Sequence, residues 1–226
     1  MLAVKKKLSL SVILAPLFIV GCAAPDFASN TASVDGYIEN EEFAMATDRA
    51  PSAKTLYAMA NILHSQGRDP ELATVLARII ERYPEFLPAY SDLAEVHLRQ
   101  QRPGDAIRVL SMGVEVVPED PVMLNNLGMC WFFSEKYEES LANFLKAAAN
   151  SPNDKQFRAN AALPLAMLGR YDEALALFNQ VMDSAEAHYN LSILCEARDD
   201  FGRAELEAQK AIELAAENGI DLPDSW

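Results

Sequence analysis

The sequence predicts an all-α solenoid of about five helix–turn–helix repeats, and three observations carry that prediction. Pro84, Pro118 and Pro152 lie 34 residues apart, a fixed period of the kind that marks stacked supersecondary units. With each proline counted as position 32 of a unit, small residues recur at positions 8 and 20: Ala94 with Ala106, Gly128 with Ser140, Ala162 with Ala174, and Ser192 with Ala204. Antiparallel helices that pack closely need small side chains where they cross. Larger apolar residues, among them Leu93, Leu110, Leu127, Phe144, Leu191 and Ile212, then recur at helical rather than alternating spacing.

The register places repeats at 53–86, 87–120, 121–154, 155–184 and 185–218, the fourth ending in a shortened connection. The first repeat pairs Ala60 with Leu72, which predicts splayed helices or a local shift of one residue onto Ala73. Turn signals fall at Gln66-Gly67-Arg68, Arg102-Pro103-Gly104 and Leu168-Gly169-Arg170. Pro164 stands inside a first helix, where it removes a backbone hydrogen bond, and a kink is expected there. Gly219 and Pro223 stop the last helix and leave 219–226 as a tail.

The N-terminus reads differently. Lys5, Lys6 and Lys7 precede an uncharged run from Leu8 to Val20, then Gly21 and Cys22, which is the charged, apolar, small-residue order of an export signal over 1–21. The run is short of the roughly 20 residues of a spanning helix, which disfavours the alternative of an uncleaved anchor. Ile19-Val20-Gly21-Cys22 resembles the lipobox of bacterial lipoproteins. That resemblance implies cleavage before Cys22, lipid on its sulfur, and a lipid-anchored protein without any other cofactor. Ala23 in place of aspartate implies, in the same family, sorting to the outer membrane with the protein on its periplasmic face.

Residues 22–52 read as the lipidated cysteine and a flexible tether, whose ends would lie about 30 Å apart. Tyr37, Ile38 and Phe43 alternatively form a short helix capping the first repeat. Loss of the three lysines takes the formal charge from −14 to −17, and so acidic a surface repels nucleic acid.

Residues Leu168 to Phe178, LGRYDEALALF, resemble the turn and second helix of the tetratricopeptide family, and with the 34-residue period the resemblance covers Ala53 to Ala216. It implies a right-handed superhelix that binds protein partners in a concave groove lined by positions 2, 5, 9, 12 and 13 of each first helix. Carried over, those positions include Tyr57, Asn61 and His64, then Ser91, Glu95, Leu98 and Arg99. Asn125, Met129, Phe132 and Phe133 follow, then Leu163 and Met167, then Tyr189 and Ile193. The groove centre is therefore expected to be apolar and methionine-rich, a composition suited to varied apolar partners. For Met129, Phe132 and Phe133 the alternative is packing between repeats. The family's chaperone-tail class is not matched, because Tyr57, Asp92 and Val122 stand at its sites and Asn61 and Asn126 alone are insufficient.

Catalytic and metal chemistry find no foothold. His64, His97 and His188 sit in three different repeats without the i, i+4 spacing of a helical zinc site. Cys130 and Cys195, two repeats apart, read as buried small hydrophobes rather than a disulfide. Glu41-Glu42, Glu138-Glu139 and Asp199-Asp200 read as solvated charge, and Trp226 as a frayed tail or a cap on the last repeat.

Repeat lipoproteins of this size resemble periplasmic assembly factors. Arg158 to Arg170, RANAALPLAMLGR, looks like the fourth repeat of the tight-adherence (Flp) pilus lipoprotein family. That implies a secretin or other pilus component as partner. The alternative is a regulatory adaptor for cell-wall enzymes or outer-membrane protein assembly.

Overall fold

The computed structural model describes residues 50–219, which form ten α-helices in five antiparallel pairs. These are α1 (Ala53–Ser65) with α2 (Asp69–Arg82), α3 (Pro88–Arg99) with α4 (Pro103–Val116), and α5 (Pro121–Phe133) with α6 (Tyr137–Asn150). The last two pairs are α7 (Lys155–Met167) with α8 (Tyr171–Phe178), and α9 (Ser184–Ala197) with α10 (Phe201–Asn218). Each helix packs on the next in sequence, so the chain is an all-α repeat solenoid. The expected signal segment, Cys22, all but the last three residues of the expected tether, and Trp226 lie outside the described residues.

Local chemistry fixes the ends of these helices. Four of the five first helices start on a side-chain cap: Ser52, Asp120, Asp154 and Asp183 accept from the amides of Thr55, Met123, Gln156 and Glu186. Between the helices of each pair, position 15 takes a left-handed backbone. Glycine fills it at Gly67 and Gly169, while Gln101, Glu135 and Asp199 hold φ between 58° and 62° at the cost that side chains incur there. In the second repeat the turning residue is thus Gln101, and Gly104 lies inside α4. The left-handed Gly219 ends α10.

The crossing residues are buried in all five pairs. Ala94, Ala106, Ala162 and Ala174 are at most 2% exposed, and a Cβ on Gly128 would stand 2.8 Å from the Phe144 ring. In the first pair Ala60 and Leu72 are both buried and Ala73 is only half-buried, so the register is not shifted onto Ala73. α7 continues through Pro164 to Met167, and the Pro164 carbonyl accepts from Leu168; the helix absorbs its proline by forgoing the bond to the Asn160 carbonyl. Ile212, expected in the core, is 47% exposed.

Candidate functional site

Consecutive first helices touch directly, α5 with α7 and α7 with α9. A curved two-layer stack is narrower on its inner side, so the layer whose members meet is the concave one. The functional candidates sit on these first helices, and their exposure sorts them into two groups.

Asn61, Glu95 and Arg99 are exposed, Tyr57, Leu98, Met167, Tyr189 and Ile193 are half-buried, and Phe133 is 43% exposed. Asn125, Met129, Phe132 and Leu163 are at most 7% exposed. The expected apolar, methionine-rich groove centre is therefore corrected: Met129, Phe132 and Leu163 belong to one cluster with Leu141 and Phe144. Phe132 meets the Phe133 and Tyr137 rings edge-on at 6.1 and 5.6 Å, a geometry favoured by ring quadrupoles. Packing between repeats claims these side chains, and only Phe133 of the aromatic pair reaches the surface.

The first two repeats give the inner face an acidic, hydrogen-bonded wall. The Tyr57 ring stands edge-on to Phe86 at 5.0 Å, and its hydroxyl donates to the Asp92 carboxylate. Burial pushes the Asp92 carboxyl above the ordinary range, helped by Glu95 and opposed by Tyr57, His64 and Arg99. Arg99 bridges the repeats, with nitrogens 2.8 Å from Asp69 and 2.5 Å from Glu95. Its hydrogen bond holds the Asp69 carboxyl below the usual range.

At the centre, polar side chains form a row across three repeats. The Asn126 amide donates to Ser91 Oγ at 3.0 Å, and the Asn160 amide donates to Asn125 Oδ1 at 2.7 Å. Asn125 Nδ2 and Asn126 Oδ1 lie 3.5 Å apart between these two bonds. Asn160 Oδ1 is buried with no partner, an unmet acceptor in a protein interior that ordinarily satisfies them. The sequence reading missed Asn160, although Ser91 with Asn125 and Asn126 with Asn160 repeat the 34-residue period.

Behind the last repeats lies a second polar cluster. The Tyr171 hydroxyl donates to Asp200 at 2.8 Å, and the Arg198 and Arg203 guanidiniums stand 5.8 and 5.4 Å from the ring centre. Burial and the Asp200 bond push the Tyr171 phenol up to about 12. Asp200, expected as solvated charge, instead also caps α10. Glu207 is fully buried, 2.5 Å from His188 Nδ1 and 2.6 Å from Arg203 Nε, so its charge is paired. The cluster pins α8, α9 and α10 together.

Cys130 and Cys195 are free and buried, and burial raises their thiols to about 12 and 11, far from the thiolate that reactivity needs. Among the described residues, no three His, Cys, Asp or Glu side chains converge as metal ligands. No helix there is long and apolar enough to cross a membrane.

The described first helices thus form the inner wall of a solenoid of paired helices. Comparison agrees: the family model described as Tetratricopeptide repeat matches residues 91–155 and 132–184. Solved structures share the fold. A tetratricopeptide protein from Parabacteroides merdae superposes with a TM-score of 0.60 at 17% identity, over 76% of this chain and 70% of that one. YrrB, titled a TPR protein with an unusual peptide-binding site, gives 0.59 at 20% over 77% and 92%, and MamA gives 0.58 at 15% over 76% and 97%. The mouse protein O-mannosyl-transferase TMTC1 is 26% identical over 102 residues, 45% of this chain. The likeness spans only 10% of that relative. The chain is thus similar to tetratricopeptide-repeat proteins, and its described residues form an all-α repeat solenoid.

Proposed function

We propose that this chain is a non-catalytic scaffold that holds an extended segment of a protein partner along its inner face. The carrying observation is that the row begun by Ser91 and Asn126, half-buried and hydrogen-bonded at 3.0 Å, continues at the surface of the first helices in the exposed Asn61, Glu95 and Arg99. Side-chain amides offer donor and acceptor together, the pairing that a peptide backbone requires. The accessible Tyr57, Asn61, Leu98 and Arg99 flank one end of the row, and Phe133, Met167, Tyr189 and Ile193 the other. The peptide-binding relative of the same fold supports this reading.

We further propose that Cys22 carries the lipid that tethers this scaffold to the periplasmic face of the outer membrane, where it assists assembly of a tight-adherence (Flp) pilus or its secretin. That finer reading rests on the lipobox and on Arg158–Arg170; the adaptor role toward cell-wall enzymes is its competitor.

Photo-crosslinkers at Asn61, Leu98 and Tyr189, with Leu145 on a second helix as control, test the groove in the native cell. Adducts from the first three alone are expected, and adducts from Leu145 alone overturn it. Cys22→Ser is expected to move the protein from the membrane to the soluble fraction. Deleting the gene separates the two roles: loss of assembled secretin supports the pilus, and unaltered secretin with altered cell-wall hydrolysis supports the adaptor.

A further inference from the structure

Positions 3, 7 and 10 of the first helices form the faces through which repeats stack. In the second to fifth repeats they are Ala89, Leu93 and Val96; Met123, Leu127 and Cys130; Phe157, Ala161 and Pro164; Ala187, Leu191 and Leu194. All are buried, and the eleven besides Pro164 are at most 6% exposed. They meet the preceding second helix: a Cβ on Gly113 of α4 would stand 3.1 Å from Met123 Sδ, and Phe157 clusters with Ala147 and Ala148 of α6. In the first repeat the same positions are Thr55, Met59 and Ile62. Thr55 is exposed, and Met59 and Ile62 are 52% and 57% exposed. The stacking face has kept its large apolar residues with no described residue in front of it.

We infer that this face is covered by the chain's own upstream segment, Val34 to Met45. Between Phe27 and Leu56, every large apolar residue falls in that stretch: Val34, Tyr37, Ile38, Phe43 and Met45. The entry point is fixed beside the face, since Ser52 caps α1 and Tyr83 donates to the Pro51 carbonyl at 2.7 Å. Where a second helix precedes a first one, the connections are four or five residues: Tyr83–Leu87, Val117–Asp120, Ser151–Asp154 and Asn179–Asp183. Met45 stands seven residues before Ser52, close to that separation.

Two arguments favour the tethered segment over a second copy. So short a link gives an effective concentration on the order of millimolar, above that of free protein in ordinary use. The segment is also acidic, with Asp35, Glu39, Glu41 and Glu42, and the first repeat is neutral with four basic and four acidic residues. The fifth, at the other end, has eight acidic against three basic residues and would repel it. With the lipid at Cys22 proposed above, docking shortens the free tether to about a dozen residues, or roughly 20 Å, and brings the first repeat toward the membrane.

The test uses the mature chain with Cys22→Ser, so that introduced thiols react only with each other while Cys130 and Cys195 stay buried. Ile38→Cys or Phe43→Cys is paired with Ile62→Cys and oxidised mildly. A fast-forming bond within one chain is expected, and bonds only between chains overturn the inference in favour of a second copy. Hydrogen exchange supplies a readout independent of engineered thiols. Changing Tyr37, Ile38 and Phe43 together to serine is expected to speed exchange of the α1 amides about tenfold and leave α9 unchanged. Unchanged α1 exchange, with no bond in either cysteine pair, refutes docking altogether. Neither readout depends on the inner groove, so loss of groove crosslinking leaves this inference standing.

Discussion

The two ends of the stack are built differently, and the contrast shows what a repeat needs from its neighbour. At the last repeat the outward positions of the second helix are remade. Position 24 holds Leu76, Leu110, Phe144 and Phe178 in the first four repeats, all at most 1% exposed, and then Ala208. Position 21 runs Ala73, Ile107, Leu141 and Leu175, and then the exposed Glu205. A solenoid's terminal repeat needs such a polar outer face. The first repeat has undergone no such change, for Met59 and Ile62 still have the character of interior residues. One end is finished by substitution, and the other awaits a cover.

The largest expected effect separates interior from end at a single repeat position. Leu127→Glu buries an unpaired carboxylate between two repeats and should cost about 4–5 kcal/mol, enough to unfold part of the stack. Met59→Glu, the same change at the same position of the first repeat, should cost far less, about 1–2 kcal/mol, because no neighbouring repeat buries it and only the tethered segment inferred above would lie against it. Urea denaturation followed by circular dichroism reads both, and equal losses would break the comparison.

Next in size is the buried charge that finishes the last pair. Glu207→Ala removes the shared partner of Arg203 and His188, which Glu207 now pairs at 2.6 and 2.5 Å, and leaves Arg203 with Asp172 at 3.5 Å and the Tyr171 ring. Removing one partner of a buried pair leaves the other uncompensated, and a cost of about 3 kcal/mol is expected, with loss of protection confined to α9 and α10. Uniform loss along the chain would show that this end does not unfold as a unit.

Smaller and opposite in sign is Glu135→Gly. Glu135 holds φ at 59° in the turn of the central repeat, a region disfavoured for a side chain, and glycine should stabilise by up to about 1 kcal/mol. Gly169→Ala should destabilise instead, since Gly169 holds φ at 78°, where a side chain is strained, and its Cβ would also push the Arg198 guanidinium aside.

These residues show how far the sequence could be read. The 34-residue period and the small residues at the crossings are dictated by close helix packing, so they stand in the sequence and the fold followed from them. The left-handed turn was legible only where glycine marked it, as at Gly67 and Gly169, because Gln101 and Glu135 carry no sign of the conformation that their neighbours impose. The groove was the weakest reading. Positions assign a side chain to the inner layer but do not say whether the next repeat covers it, and Met129, Phe132 and Leu163 are covered. Asn160 was missed because a lone asparagine is bland, and its meaning lies in its bond to Asn125.

A pH titration sharpens the contrast within the first two repeats. Burial raises the Asp92 carboxyl above its usual 3.8, so the folded chain binds that proton more tightly than the unfolded one. The resulting cost is fully present above the raised value and is relieved as pH falls through it. Asp92→Asn should therefore stabilise modestly at neutral pH, with the gain vanishing near pH 4. Asp69, lowered by Arg99, behaves oppositely: its stabilisation is present above 3.8 and is lost as pH falls through its lowered value. Asp69→Asn should destabilise at neutral pH.

The smallest change in stability tests the finished end itself. Glu205→Leu restores at the last repeat the apolar character that Ile107, Leu141 and Leu175 have at the same position. The residue is exposed, so the folding free energy should shift by less than about 0.5 kcal/mol. Self-association should change far more. Glu205 sits between Phe201 and Ile212, which are 65% and 47% exposed, and leucine there joins them into one apolar patch that invites a second copy. Sedimentation velocity should find the parent monomeric and the variant concentration-dependent. If the variant also stays monomeric, then the polar residue at position 21 is not what keeps this end of the stack closed, and Ala208 becomes the residue to change.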